Sequence, residues 1–230
     1  MKAIIPVTSS VDRYYDDAGY FLGCLVGQTI GWGVEMDSLS TRPPDPDIVG
    51  KRWKKIWKNR LQNTPPYVPI WLSHQEKDKY WLQGTISKNY NLIKCPVLAT
   101  GGWADCWPNT VGRLVKNLNT NVKGISGPWG HNYSCFAKPG PQIDFLNECL
   151  KWWDKWLKNK NNGVDKDPKI TAFIRKSMKP NSLGVDRPGY WIKENSWPPK
   201  SNVNKKFYLE ENKLINTKKT LKNKFVNFTS

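Results

Sequence analysis

Apolar positions along the chain fall into short runs separated by polar turns, with helical spacing between some of them. Cys95-Pro96-Val97-Leu98-Ala99-Thr100 is a compact apolar run bounded by Pro96 and by Gly101-Gly102, which predicts a buried parallel strand. After Pro108, the residues Val111, Leu114, Val115 and Leu118 recur at the spacing of a helix with one apolar face. Lys123-Gly124-Ile125-Ser126 reads as a shorter strand, so the segment predicts strand, loop, helix, strand. Lys2 to Val7 reads as another buried strand.

The flanking segments carry different patterns. From Lys51 to Leu61, Trp53, Ile56, Trp57 and Leu61 share one face among lysines and arginines, predicting an amphipathic helix closed off by Pro65-Pro66. A longer helix is predicted through Phe145, Leu146, Cys149, Leu150, Trp152, Trp153, Trp156 and Leu157. Its apolar residues cover more than one face, which suits packing on a sheet and also against a second domain, or else a thick core. Asn159 to Asp167, rich in asparagine, lysine and glycine, reads as a linker. Beyond it, Lys169 to Ile174 and Lys206 to Leu209 predict strands, with Tyr190-Trp191 and Trp197-Pro198-Pro199 marking irregular connections between them. The alternation places the chain in the α/β class. No internal repeat is visible.

Composition narrows the picture. At 230 residues and 38% hydrophobic, the chain can build one sizeable core or two modest ones. No segment is apolar for long enough to cross a bilayer, so no membrane partner is expected. The apolar start, Lys2 to Val7, breaks into Thr8-Ser9-Ser10-Val11-Asp12-Arg13 too soon for a signal peptide. Five cysteines without pattern and no export signal favour a reducing, cytoplasmic location, although export can be specified upstream of Met1. The net charge of +17, from 36 Lys and Arg against 19 Asp and Glu, raises the question of nucleic acid. That charge is spread over Lys51 to Arg60 and the carboxyl end (Lys205, Lys206, Lys213, Lys218, Lys219, Lys222, Lys224), without a zinc-finger, helix-turn-helix or ribonucleoprotein motif. A general lysine and asparagine bias accounts for it, and no nucleic-acid partner is expected.

The candidate chemistry sits after the two central strands. Asp105 follows the first and His131 the second, and in open α/β sheets ligands bind beyond the carboxyl ends of the strands, so both project into one crevice. A serine hydroxyl becomes a useful nucleophile when an imidazole takes its proton, and the imidazole needs a carboxylate to fix its tautomer and stabilise its cation. Asp105 and His131 supply those two groups. Only two histidines exist, and the other, His74, lies in a polar helical stretch (Ser73 to Asp78) where a solvated surface histidine is expected. On the residues alone, a structural role for Asp105 and His131 stays open.

No nucleophile accompanies them. In Gly124-Ile125-Ser126-Gly127, Pro128 stands where an elbow needs its second glycine, and Ser126 falls between the carboxylate and the histidine instead of before both. Cys24, Cys95, Cys106, Cys135 and Cys149 lack flanking glycines at that spacing and are assigned to structure. A zinc site drawn from Cys106, His131 and Cys135 lacks both a Cys-x-x-Cys pair and a second nearby histidine, so no metal is expected.

At Lys2-Ala3-Ile4-Ile5-Pro6-Val7, Arg42-Pro43-Pro44-Asp45-Pro46, His74 to Trp81, Gly101-Gly102-Trp103-Ala104-Asp105 and Gly127-Pro128-Trp129-Gly130-His131, the chain resembles the cocaine-esterase-like (CocE/NonD) hydrolases and, with them, the X-Pro dipeptidyl-peptidases. The resemblance implies a partial α/β-hydrolase core with an inserted helical cap, followed by the start of a jelly-roll β-sandwich. It divides the chain into core at 1–19, cap at 20–90, core carrying acid and base at 91–158, and linker with the opening of the sandwich at 159–230. Such caps lie over the crevice and limit substrate size. Asp105 matches the family's catalytic carboxylate and His131 its base. Trp107 matches a position lining the acyl pocket, and reads equally as a packed loop tryptophan.

In the family the nucleophile elbow precedes the Lys2 to Val7 strand, so the resemblance implies that the serine and the oxyanion hole lie before Met1 and that this chain is a piece of a larger serine hydrolase. The implied reaction is ester or X-Pro-type amide hydrolysis of a small-molecule or peptide substrate, without a cofactor. The alternative is a non-catalytic binding module built on the same fold. Oligomeric state leaves no trace in the sequence.

Overall fold

The computed structural model describes residues 1–17, 20–180, 186–210 and 213–217. Gly19, the end of the first expected core segment, and Lys218, Lys219, Lys222 and Lys224 of the basic carboxyl end lie outside the described residues. The chain forms two compact units, Met1–Trp197 and Pro198–Ser230.

The first unit begins with an extended segment and a loop, followed by a short hairpin, β1 (Tyr20–Phe21) and β2 (Cys24–Leu25). Helices follow: α1 (Gln28–Ser40), α2 (Pro46–Val49), α3 (Trp53–Asn63), α4 (Tyr67–Ser73) and α5 (Lys79–Leu82). The expected amphipathic helix is α3, and Trp53, Ile56 and Trp57 are its partly buried residues. Tyr14, Tyr20, Trp71 and Trp81 form a separate aromatic core in this region, with Tyr14 stacked on Tyr20 at 4.9 Å.

The sheet then forms from β3 (Val97–Gly102), β4 (Val122–Gly127), β5 (Ile170–Arg175) and β6 (Gly189–Glu194), in that order. β3, β4 and β5 run parallel, and β6 is antiparallel to β5. Helix α6 (Thr110–Asn117) links β3 to β4, and α7 (Phe145–Lys158) links β4 to β5. All residues of β3 and β4 are buried, as strands covered on both faces require. Strand alternation sends Val97 and Ala99 toward Val111, Leu114 and Val115 of α6, and Leu98 toward the opposite core with Trp152 of α7. Each such aliphatic side chain stabilises the fold by about 1.5–3 kcal/mol on burial.

Lys2 to Val7 lies parallel beside β3, but as two isolated bridges, Ile4 with Val97 and Val7 with Thr100. The Ile4 N–H donates to the Pro96 carbonyl and its own carbonyl accepts from Leu98; the Pro6 carbonyl accepts from Thr100, whose carbonyl accepts from Thr8. Pro6 occupies the position whose N–H would continue that ladder, so the strand is interrupted there.

Three sequence expectations change. Lys169 to Ile174, expected to open the sandwich, belongs to the α/β sheet as β5, because Ile170, Ala172 and Phe173 are buried in its core. Tyr190-Trp191, expected as an irregular connection, lies in β6, where Trp191 packs against Trp129 and Phe173. The expected linker is partly fixed: Val164 is buried, and Asp167 pairs with Lys123. Helix α7 packs on the sheet through Trp152, Phe145 is buried beside Tyr133, and Leu146, Leu150 and Leu157 are exposed.

The second unit contains β7 (Tyr208–Glu210) paired antiparallel with β8 (Lys213–Ile215), and β7 overlaps the strand expected over Lys206 to Leu209. Among the described residues no helix is long and apolar enough to cross a membrane.

Lys123 is the one lysine on β4, and its buried ammonium bonds Glu148 of α7 at 2.8 Å and Asp167. Burial alone would lower its pKa; the hydrogen bonds to Asp167 and Glu148 outweigh that and raise it. A raised lysine contributes stability that is full below its unfolded pKa of about 10.4 and is lost as pH rises through the higher folded value. Both carboxylates retain some solvent access, so Lys123→Met is expected to cost about 1–3 kcal/mol at neutral pH. Thermal unfolding checks this: the melting temperature should fall by about 2–4 °C per kcal/mol.

Candidate functional site

The loops that carry Asp105 and His131 leave adjacent parallel strands at the same end. Gly101 pairs with Ser126 and Gly102 with Gly127, so the two loops begin side by side. Backbone bonds then lace them: Trp103 N–H donates to the Gly127 carbonyl at 2.9 Å, and Ala104 N–H to the Trp129 carbonyl at 3.0 Å. The crossing is close enough to exclude side chains. A Cβ on Gly102 would lie 2.0 Å from the Trp129 carbonyl oxygen, and one on Gly127 would lie 2.3 Å from the Trp129 ring. Trp129 is itself buried and anchored, its indole N–H donating to the Pro141 carbonyl at 2.7 Å. The indole N–H of Trp103 donates to the Phe173 carbonyl of β5 at 2.7 Å, fixing the other loop.

This frame brings the sequence-derived pair together. The Nδ1 of His131 lies 3.2 Å from Oδ1 and 3.3 Å from Oδ2 of Asp105. The Asp105 side chain is 1% exposed and the His131 side chain 53% exposed, so the carboxylate holds one edge of the ring and leaves the rest open. Asp105 Oδ1 also accepts from the Trp107 backbone N–H at 3.2 Å and from the Cys106 thiol at 3.2 Å. Trp107 sets its ring edge-to-face against the imidazole, with centroids 4.8 Å apart and an interplanar angle of 78°. A buried carboxylate bonded to the Nδ1 side of a half-open imidazole fixes the ring tautomer and leaves Nε2 available to a proton donor.

The other candidates fall elsewhere. Ser126 is buried within β4, and no helix follows it directly. His74, expected as a solvated residue, is half-buried: Nδ1 bonds the Asp78 carboxylate and the ring stacks on Tyr80 at 4.3 Å. Asp78 also caps α5, accepting from the Tyr80 N–H at 2.9 Å, which gives this second pair a structural role.

Cys106, weighed in the sequence beside His131 and Cys135 and assigned to structure, adjoins Asp105 at the site. Burial, followed by the Asp105 carboxylate beside it, pushes its thiol up to about 12. It therefore stays protonated at neutral pH and is a poor nucleophile. Cys135 does not join Cys106 and His131; among the described residues the group of donor atoms that converges is Asp105, Cys106 and His131.

Against known proteins, the family model described as X-Pro dipeptidyl-peptidase (S15 family) matches residues 1–133. No curated protein sequence matches the chain. Among solved structures, a CocE/NonD family hydrolase from Staphylococcus aureus superposes with a TM-score of 0.64 at 18% identity, covering 95% of this chain and 34% of that one. An aminopeptidase from the marine sediment archaeon Thaumarchaeota archaeon gives 0.56 at 17% identity, covering 94% and 38%. The chain thus spans little more than a third of either structure, and at these identities the likeness establishes the partial α/β fold.

Proposed function

The chain belongs to the X-Pro dipeptidyl-peptidase (S15) family of hydrolases, and from that premise we propose that it carries the acid and base of a serine hydrolase whose nucleophilic hydroxyl is supplied by sequence outside these residues. One observation carries the reading: the His131 Nδ1 sits within 3.3 Å of both oxygens of a buried Asp105 at the carboxyl ends of adjacent parallel strands. In the reaction, His131 Nε2 takes the proton of the incoming serine hydroxyl as its oxygen attacks the substrate carbonyl. Asp105 holds the Nδ1 proton and stabilises the imidazolium. His131 then returns the proton to the leaving alcohol or amine, leaving an acyl-enzyme. Water, deprotonated by the same Nε2, releases the acid.

Neither in-chain candidate replaces that hydroxyl, since Ser126 is sealed in β4 and the Cys106 thiol is held protonated. Trp107, edge-on to the imidazole, offers an apolar wall for the acyl side of a small ester or peptide substrate. The fold and the chemistry ask for no organic cofactor.

Covalent labelling tests this. The chain alone should not react with a fluorophosphonate, whereas a protein joining it to an upstream Gly-x-Ser-x-Gly segment should label on that serine, and lose the label in His131→Ala. An extended protein that folds and carries the serine but does not label would leave the non-catalytic binding module as the correct reading.

A further inference from the structure

Three donor atoms of different chemistry meet at the mouth of the site. The Cys106 sulfur, an Asp105 carboxylate oxygen and a His131 ring nitrogen all lie within 4.8 Å of one another. Two of the three separations are known individually: Sγ to Oδ1 is 3.2 Å and Nδ1 to Oδ1 is 3.2 Å. A tetrahedral zinc ion bonds sulfur at about 2.3 Å and nitrogen or oxygen at about 2.0–2.1 Å, which sets ligand-to-ligand edges of about 3.5 Å for S–O and S–N and about 3.3 Å for N–O. Two edges of that tetrahedron are therefore already in place to within a few tenths of an ångström, and a χ1 adjustment of the exposed Cys106 brings its sulfur toward the ring to close the third.

The electrostatics point the same way. Asp105 is buried, and among the described residues its ion-pair partner is His131 alone. The half-open imidazole gives an ion an entry path to the three donors.

We propose that Asp105, Cys106 and His131 form a binding site for a borderline-soft divalent cation, zinc above all, that competes with the Asp105–His131 hydrogen bond. The mixed S, N and O donors select zinc over magnesium or calcium, which take oxygen ligands. Binding releases one proton to solvent, that of the Cys106 thiol as the Zn–S bond forms, while the Nδ1 proton moves to Nε2 so that the neutral ring binds the metal through Nδ1. The metal thereby removes the contact on which proton transfer by His131 depends, so the ion acts as a reversible off-switch. The site itself rests on donor geometry and stands whether or not the hydrolytic reading holds.

Cobalt titration of the full chain tests it, because Co²⁺ reports a bound thiolate by a near-ultraviolet charge-transfer band that Zn²⁺ then bleaches. One ion per chain is expected, with the band present. Cys106→Ser should abolish the band and weaken binding by more than about tenfold, since loss of a ligand costs at least as much as loss of an outer partner. Cys135→Ser should leave both unchanged. Calorimetry in buffers of different ionisation enthalpy should show proton release on Zn²⁺ binding that drops by one in Cys106→Ser. Cys106 is exposed, so the variant should fold, as circular dichroism will show. Absence of a thiolate band, or a band that survives Cys106→Ser, overturns the proposal.

Discussion

Replacing His131 by alanine in an enzyme that unites this chain with its nucleophile is expected to lower kcat by about 10⁴- to 10⁶-fold while leaving substrate binding and folding intact. The magnitude follows from the role. Without the imidazole no second histidine takes over the serine proton, because His74 is committed to Asp78 within the helical region. The fold is spared because the His131 side chain is 53% exposed and its loop is held by backbone bonds, such as Gly130 N–H to the Lys138 carbonyl at 2.8 Å. Asp105→Asn should cost about 10⁴-fold by presenting a donor to Nδ1 and so favouring the wrong tautomer. The double variant should be no worse than His131→Ala alone, since the carboxylate acts only through the ring. Steady-state kinetics on the variants check all three values; additive losses would contradict the shared role.

Gly102→Ala is the substitution with the largest expected effect on the framework. Its Cβ would sit 2.0 Å from the Trp129 carbonyl oxygen, 2.6 Å from the carbonyl carbon and 2.8 Å from the Cα, all backbone atoms of the loop that carries His131. Backbone cannot rotate aside as a side-chain tip does, so either β3 or the 128–131 segment must move. A loss of about 3–5 kcal/mol is expected, at the upper end for a single methyl group. Any relief opens the Ala104-to-Trp129 bond and separates Asp105 from His131, so the folded fraction should also lose the acid–base contact. The neighbouring Gly101→Ala is the control: its Cβ meets only the Val111 methyl at 3.2 Å, a side chain able to give, and it should cost about 1 kcal/mol. Urea unfolding of both variants distinguishes a crossing that depends on Gly102 from a generic preference for glycine at the strand end.

The strand, helix, strand unit around the site was legible because its physics is local. Val97 to Thr100 is a continuous apolar run, and Val111, Leu114, Val115 and Leu118 repeat with the helical period, so the positions of Asp105 and His131 beyond the two strands followed directly. What escaped the sequence depended on partners distant in the chain. The Gly189–Glu194 strand follows Pro188, opens on a glycine and shows no clean alternation of burial, and it is ordered by Trp191 packing on Trp129 and Phe173. Asp167, in a polar stretch with the composition of a linker, is held by a lysine 44 positions earlier. The Pro6 interruption could be read only once the register placed it opposite the Leu98 carbonyl. Cys106 is the instructive case: its neighbour Asp105 was singled out, but its approach to His131 comes from the turn after Gly102, which the residue pattern does not encode.

The central claim is that Asp105 holds His131 with the proton on Nδ1 and Nε2 free, and nitrogen-15 NMR of the imidazole ring measures this on the chain as it stands. With only two histidines, a His74→Gln variant leaves the ring signals of His131 alone. At a pH where the ring is neutral, the account predicts a protonated, pyrrole-type Nδ1 and a pyridine-type Nε2, reverting in Asp105→Asn toward the Nε2–H form favoured by free imidazole. A His131 ring that carries its proton on Nε2 in the unsubstituted pair, or that is indifferent to Asp105→Asn, would contradict it.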